Sequence, residues 1–202
     1  MFFEFLLTAI LIELTPGPNM AWLALLGASR GRIAALGAVA GIALGLAIAG
    51  AAAAFGVSAL IGKTPWVFQA LRWAGALYLL YLAWDAWQQA DGTHNGNFNE
   101  PIGKYFSQGL VSNILNSKAY LVYAAVLPQF IDMGSELLPQ LTLLTAAYVV
   151  VATTIHSGIA LLAGSLSGFF AQPEKFQRMS RVFAALLAIV AVWFFYATGV
   201  KS

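Results

Sequence analysis

Thr15-Pro16-Gly17-Pro18-Asn19 interrupts the first long apolar stretch of the chain, with Glu13 just before it. A proline removes a backbone donor and clashes with the preceding turn, so two prolines and a glycine here predict a broken helix. Inside a bilayer, freed backbone groups are tolerated only against protein or a wet cavity. Broken helices near the bilayer middle are one way in which secondary transporters build a substrate site. The alternative is a simple proline kink that eases helix packing. The acid beside the break favours a site.

Working outward, the 202 residues are 60% hydrophobic and only 9% charged, with a mean hydropathy of +0.79. A soluble domain carries about 25% charge. The composition therefore predicts an all-α integral membrane protein of one membrane domain over 1–202. There is no cysteine, which excludes disulfides and thiolate metal sites. Two histidines without cysteines make no metal constellation. A net charge of +2 does not point to nucleic acid. Gly62-Lys63-Thr64 resembles the end of a P-loop, but Val57 holds the position of its upstream glycine. No metal and no cofactor is expected. Glu4 and the lack of a basic leader argue against a signal peptide, so the first stretch is read as a membrane helix.

A spanning helix needs about 20 mostly apolar residues. Six stretches qualify: Phe2 to about Leu26, Ile33 to Ile61, Trp66 to Trp87, Phe106 to Ile131, Leu138 to Phe170, and Val182 to Val200. None shows the period-two alternation of outer-membrane strands. Arg30, Arg32, Lys104, Lys175, Arg178 and Arg181 fall on one side, against Lys63, Arg72 and Lys201 on the other. The richer side is expected to be cytoplasmic, which puts both termini in the periplasm of a bacterial inner membrane. The polar, turn-rich stretch from Gln88 to Lys104 reads as a linker between two halves, about 1–88 and 105–202.

The halves carry traces of a repeat. Phe5 precedes Thr15-Pro16-Gly17 by ten residues, and Phe106 precedes Asn116-Ser117-Lys118 by ten. Phe68-Gln69 opens the third span and Phe176-Gln177 lies near the start of the sixth, with Trp84 and Trp193 towards their ends. Three spans per half require opposite insertion, so the expected architecture is six transmembrane helices as two inverted three-helix repeats. Such repeats place the site at their interface.

Few side chains in the spans could carry chemistry. Glu13 costs at least about 2.5 kcal/mol at the bilayer centre, so it is expected to be protonated or paired. It could bind an ammonium or carry a proton; a structural pair with Lys118 is the plainer role. Lys118, with Asn113, Asn116 and Ser117, makes the polar point of the fourth span. A lysine there could hold a carboxylate or snorkel to the interface. Asparagines can bind a ligand or tie helices together. His156, beside Thr153, Thr154 and Ser157, is a second proton-carrier candidate or a helix-to-helix hydrogen-bond partner. Gly37, Gly41 and Gly45 form a small-residue face for close packing, inside the fold or between the protomers of a homodimer.

Leu14-Thr15-Pro16-Gly17-Pro18-Asn19-Met20, Gly31-Arg32, the Gly37/Gly41/Gly45 helix and Gly75-Ala76-x-Tyr78-Leu79-x-Tyr81-Leu82 together resemble the LysE/RhtB family of amino-acid exporters. Phe106-x-x-Gly109, Asn116-Ser117-Lys118-Ala119 and Leu127-Pro128-Gln129-Phe130 extend the resemblance over nearly the whole chain. Ser117 stands where the family pattern has proline, which implies a less broken fourth span. The resemblance implies secondary export of amino acids or close derivatives, driven by protons. The expected substrate-binding residues are Glu13, Thr15, Gly17, Asn19, Asn113, Asn116 and Lys118, with Glu13 and His156 for the proton and Pro16 and Pro18 for the break. An exporter of another small metabolite, or a non-transporting scaffold built on the glycine face, are the competing readings. A scaffold gives no reason to keep Glu13 and Lys118 in lipid.

Overall fold

A computed structural model describes residues 1–15, 17–54, 65–90, 100–132, 134–165 and 173–197. They form eight α-helices, and no strand occurs among the described residues. The helices are α1 (Phe2–Leu14), α2 (Pro18–Arg30), α3 (Arg32–Ala54), α4 (Pro65–Ala90), α5 (Ile102–Ile114), α6 (Ser117–Leu121), α7 (Leu137–Gly164) and α8 (Pro173–Ala197). A π-helical turn, Val122–Val126, and a 3₁₀ turn, Leu127–Phe130, follow α6. Pro16, linker positions 91–99 and the far ends of three predicted spans, at Ile61, Phe170 and Val200, lie outside the described residues.

The first predicted span is two helices, bent by 61°. Thr15 ends α1 in an extended conformation (φ −67°, ψ 118°), and Gly17 is extended before Pro18 starts α2. Proline suits that first helical position because its missing N–H would have no partner there. The fourth predicted span breaks as well. Helix α5 and Lys118–Phe130 meet at 49°, with Leu115 and Asn116 between α5 and α6. No proline is needed: the Asn116 side chain accepts the Lys118 N–H at 3.1 Å and starts the new helix as its cap. The bend is smaller than the first, but the segment is still broken with Ser117 in the proline's place.

Helices α3 and α7, of 23 and 28 residues, are each long and apolar enough to cross a membrane, and each bent pair would add one span. Helices α4 and α8, of 26 and 25 residues, cover the places of the third and sixth predicted spans. Three helices reach beyond the ends of the predicted apolar stretches. Helix α4 runs on to Ala90, α5 begins at Ile102, and α8 begins at Pro173 rather than near Val182. Extended Pro101 starts α5, and a Glu100–Lys104 ion pair of 2.7 Å spans its first turn.

Glycine sets the helix packing. A Cβ on Gly41 would overlap the Phe106 carbonyl, and one on Gly109 would overlap the Ala38 carbonyl, so α3 and α5 touch backbone to backbone. A Cβ on Gly45 would lie 2.9 Å from Asn113. The small-residue face of α3 is thus occupied within the chain. On the other side, Gly27 of α2 meets Ala160 and Gly164 of α7. Helix α7 packs on α1, α2 and α3, and α4 packs on α8. In the first turn of α7, Gln140 accepts from the Asp132 N–H and donates to the Asp132 and Glu136 carbonyls. The Gly134 N–H and the Ser135 hydroxyl hold the exposed Asp132 carboxyl below its ordinary range.

Candidate functional site

The two breaks face each other. Glu13, in the last turn of α1, is 4% exposed. Tyr148 of α7 donates a 2.5 Å hydrogen bond to Glu13 Oε1. Lys118 Nζ, from the first turn of α6, lies 3.8 Å from the same oxygen. His156 Nε2 lies 3.6 Å from Glu13 Oε2. One carboxylate is therefore shared by a phenol, an ammonium and an imidazole from two other helices. Buried charge is tolerable only with such partners.

Lys118 turns inward rather than away to an interface. Its ammonium donates to the Thr15 carbonyl at 3.2 Å, at the end of α1. Carbonyls at a helix C-terminus lack helical partners and carry partial negative charge, so this end attracts a cation. The Thr15 hydroxyl bonds back to Leu11, and its side chain is exposed. Thr15 thus contributes its carbonyl and not its side chain.

A second polar group holds α2 to α5. The Ser112 hydroxyl donates to Asn19 Oδ1 at 2.7 Å, and Asn19 Nδ2 donates to Asn113 Oδ1 at 3.1 Å. All three side chains are buried. Asn113 Nδ2 and His156 Nδ1 are buried without a hydrogen-bond partner.

Glu13, Gly17, Asn19, Asn113, Asn116, Lys118, Tyr148 and His156 line one cavity of about 10 Å³, room for about one water. Pro18 lines a separate small cavity with Asn19, Tyr78 and Ser112. All the candidate residues from the sequence that are described meet here, except the Thr15 side chain and Pro18. Pro16 lies outside the described residues. Sequence reasoning missed Tyr148 and Ser112. Leu144, Tyr148, Ala152, His156, Ala160 and Gly164 are the buried positions of α7, each four residues from the next. That spacing puts Tyr148 on the His156 face two turns away.

A helical membrane protein with a buried charged cluster at two helix breaks has the build of a translocator. Residues 10–198 match the LysE type translocator family, and the chain belongs to it; its members are translocators and not enzymes. The chain is similar to the homoserine/homoserine lactone efflux protein of Salmonella typhimurium, 28% identical over 190 residues, 93% of this chain and 92% of that protein. It is 32% identical to the leucine efflux protein of Enterobacter sp. (strain 638) over 159 residues, 77% of this chain and 72% of that protein. The leucine efflux protein of Klebsiella pneumoniae is 28% identical over 197 residues, 96% and 92% of the two chains. No solved structure matches the chain.

Proposed function

We propose that the chain exports amino acids or close derivatives across the bacterial inner membrane as a proton-coupled secondary transporter. The observation that carries this is Glu13, buried at the first helix break and paired with Lys118 from the second. A protein that moves nothing has little use for an ion pair at two broken membrane helices. The names of its relatives, efflux proteins for homoserine and homoserine lactone and for leucine, support the substrate class of amino acids and close derivatives.

In this reading the whole chain is one membrane domain of six spans. The bent pairs α1/α2 and α5/α6 are the first and fourth, with both termini periplasmic. The helix pairing supports an inverted repeat. The second span of each half, α3 or α7, packs on the first span of the other, and the third spans, α4 and α8, pack together. The cavity is too small for an amino acid, so this is a closed conformation that opens at the breaks. Glu13 receives the substrate ammonium, or a proton when substrate has left. Asn19, Asn113, Asn116 and the backbone at Thr15 and Gly17 supply polar contacts. His156, 3.6 Å from Glu13, passes the proton. Alternate occupation of one carboxylate by substrate and by proton yields antiport: amino acid out, proton in.

The test is uptake of labelled amino acids into inverted membrane vesicles holding the protein. Accumulation that needs an imposed pH gradient is expected. Uptake no different from vesicles without the protein, across the common amino acids and homoserine, would refute export of this class.

A further inference from the structure

We infer that the site selects zwitterions by splitting its own ion pair. The substrate ammonium replaces Lys118 at Glu13, and the substrate carboxylate takes the released Lys118. This rests on the exporter reading above, and it adds that neither charge of the substrate is dispensable.

The partners of Glu13 are unequal. Tyr148 binds at hydrogen-bond distance, while Lys118 stands at 3.8 Å, beyond it. The tight bond comes from a neutral group on a long unbroken helix, and the loose contact from the charged one. Glu13 is the fixed member, with a side chain 5% exposed, while that of Lys118 is 25% exposed. The lysine stem passes Gly17, where even a Cβ would lie 3.8 Å from Cδ, so the first break leaves the stem room on that side. What the ammonium holds is Glu13 Oε1 and the Thr15 carbonyl, two acceptors that suit any ammonium. In the closed state Lys118 thus fills an ammonium site.

Charge balance decides what can replace it. Glu13 and Lys118 together are neutral, and a zwitterion inserted between them keeps every charge paired. A cationic amine at Glu13 would leave Lys118 in a low-dielectric cavity without a counter-charge. An anion at Lys118 would leave Glu13 to keep its proton, so binding would no longer release the proton that export exchanges. Breaking one side of a buried pair is the strongly unfavourable case. Lys118 is accordingly a specificity residue, and its side chain is the part that moves.

The experiment compares wild-type protein in vesicles with leucine, leucinamide, 4-methylpentanoate, homoserine and homoserine lactone, each as competitor against the labelled amino acid best exported. Leucinamide and the lactone lack the carboxylate, and 4-methylpentanoate lacks the amine. The analogues should compete about tenfold or more weakly than their parent amino acid, the worth of one charge-assisted hydrogen bond. Lys118→Gln should reverse the order of leucine and leucinamide, since Glu13 alone then selects a cation. Equal competition by amide or lactone in the wild type overturns the inference and leaves the exporter reading standing. Export of no amino acid overturns both. Retention of the wild-type order in folded Lys118→Gln also overturns the inference.

Discussion

Tyr148 donates a 2.5 Å hydrogen bond to Glu13, and its ring meets Tyr123 edge-on at 5.6 Å. Tyr123 in turn donates to the Leu46 carbonyl of α3 at 2.9 Å. A carboxylate at a helix break is thereby braced, through two phenols, against α3 and the turn that follows Lys118. π-helical turns such as Val122–Val126 occur often at functional sites.

Tyr148→Phe keeps the ring and removes the bond. A hydrogen bond to a charged group contributes about 1.5–3 kcal/mol, so export should fall about tenfold or more while the folded protein persists. Export rate and thermal unfolding of the same sample check this. A wild-type rate would reduce Tyr148 to packing.

Asn116→Ala removes the cap that starts α6 after the second break. Loss of such a cap costs about 0.5–2 kcal/mol, and here it also frees the segment that aims Lys118 at Glu13. Export should drop severalfold with modest loss of stability. Asn116→Asp keeps the capping oxygen and should retain more activity than the alanine variant. An alanine variant as active as wild type would show that the cap does not serve transport.

Much of this arrangement was legible in the residues. Pro16, Gly17 and Pro18 announced the first break, since no other residues interrupt a membrane helix so strongly. The matched phenylalanine spacing pointed from there to Asn116 and Lys118, and Glu13 stood out because a charge in an apolar span needs a partner. What stayed hidden is informative. Tyr148 is one of seven tyrosines, and an aromatic ring in an apolar stretch does not declare which neighbour its hydroxyl meets. Ser112 is similar: a small hydroxyl bonds its own helix as readily as a distant Asn19. The destination of the α3 glycines was also open, because close-packing faces look alike inside a fold and between protomers. The helix ends were displaced where Pro101 and Pro173 start helices inside polar sequence.

Gly41→Ala and Gly109→Ala should each fail to give stable protein. Either Cβ would overlap backbone of the opposite helix, and backbone cannot rotate away as a side chain can. Gly158→Ala is the control, because its Cβ would meet nothing within 4 Å. Yield of monodisperse protein in detergent separates the cases. Equal yields from all three would contradict the α3–α5 packing.

Reporter fusions after Arg32, near Gly96 and after Arg178 should all score cytoplasmic, following the excess of arginine and lysine on that side. A periplasmic score at Gly96 would overturn both the orientation and the arrangement of three spans on either side of the linker.

Glu13→Gln tests most directly whether Glu13 serves substrate and proton in turn. Glutamine keeps the shape and a hydrogen-bond acceptor for Tyr148 but carries neither charge nor a transferable proton. The measurement is export by the reconstituted variant and wild type across about pH 6 to 8, where a pH-coupled carrier responds. Export by the variant should fall strongly, and what remains should lose its dependence on the pH gradient. Wild-type rates with an unchanged pH profile would contradict the account and leave Glu13 a packing residue.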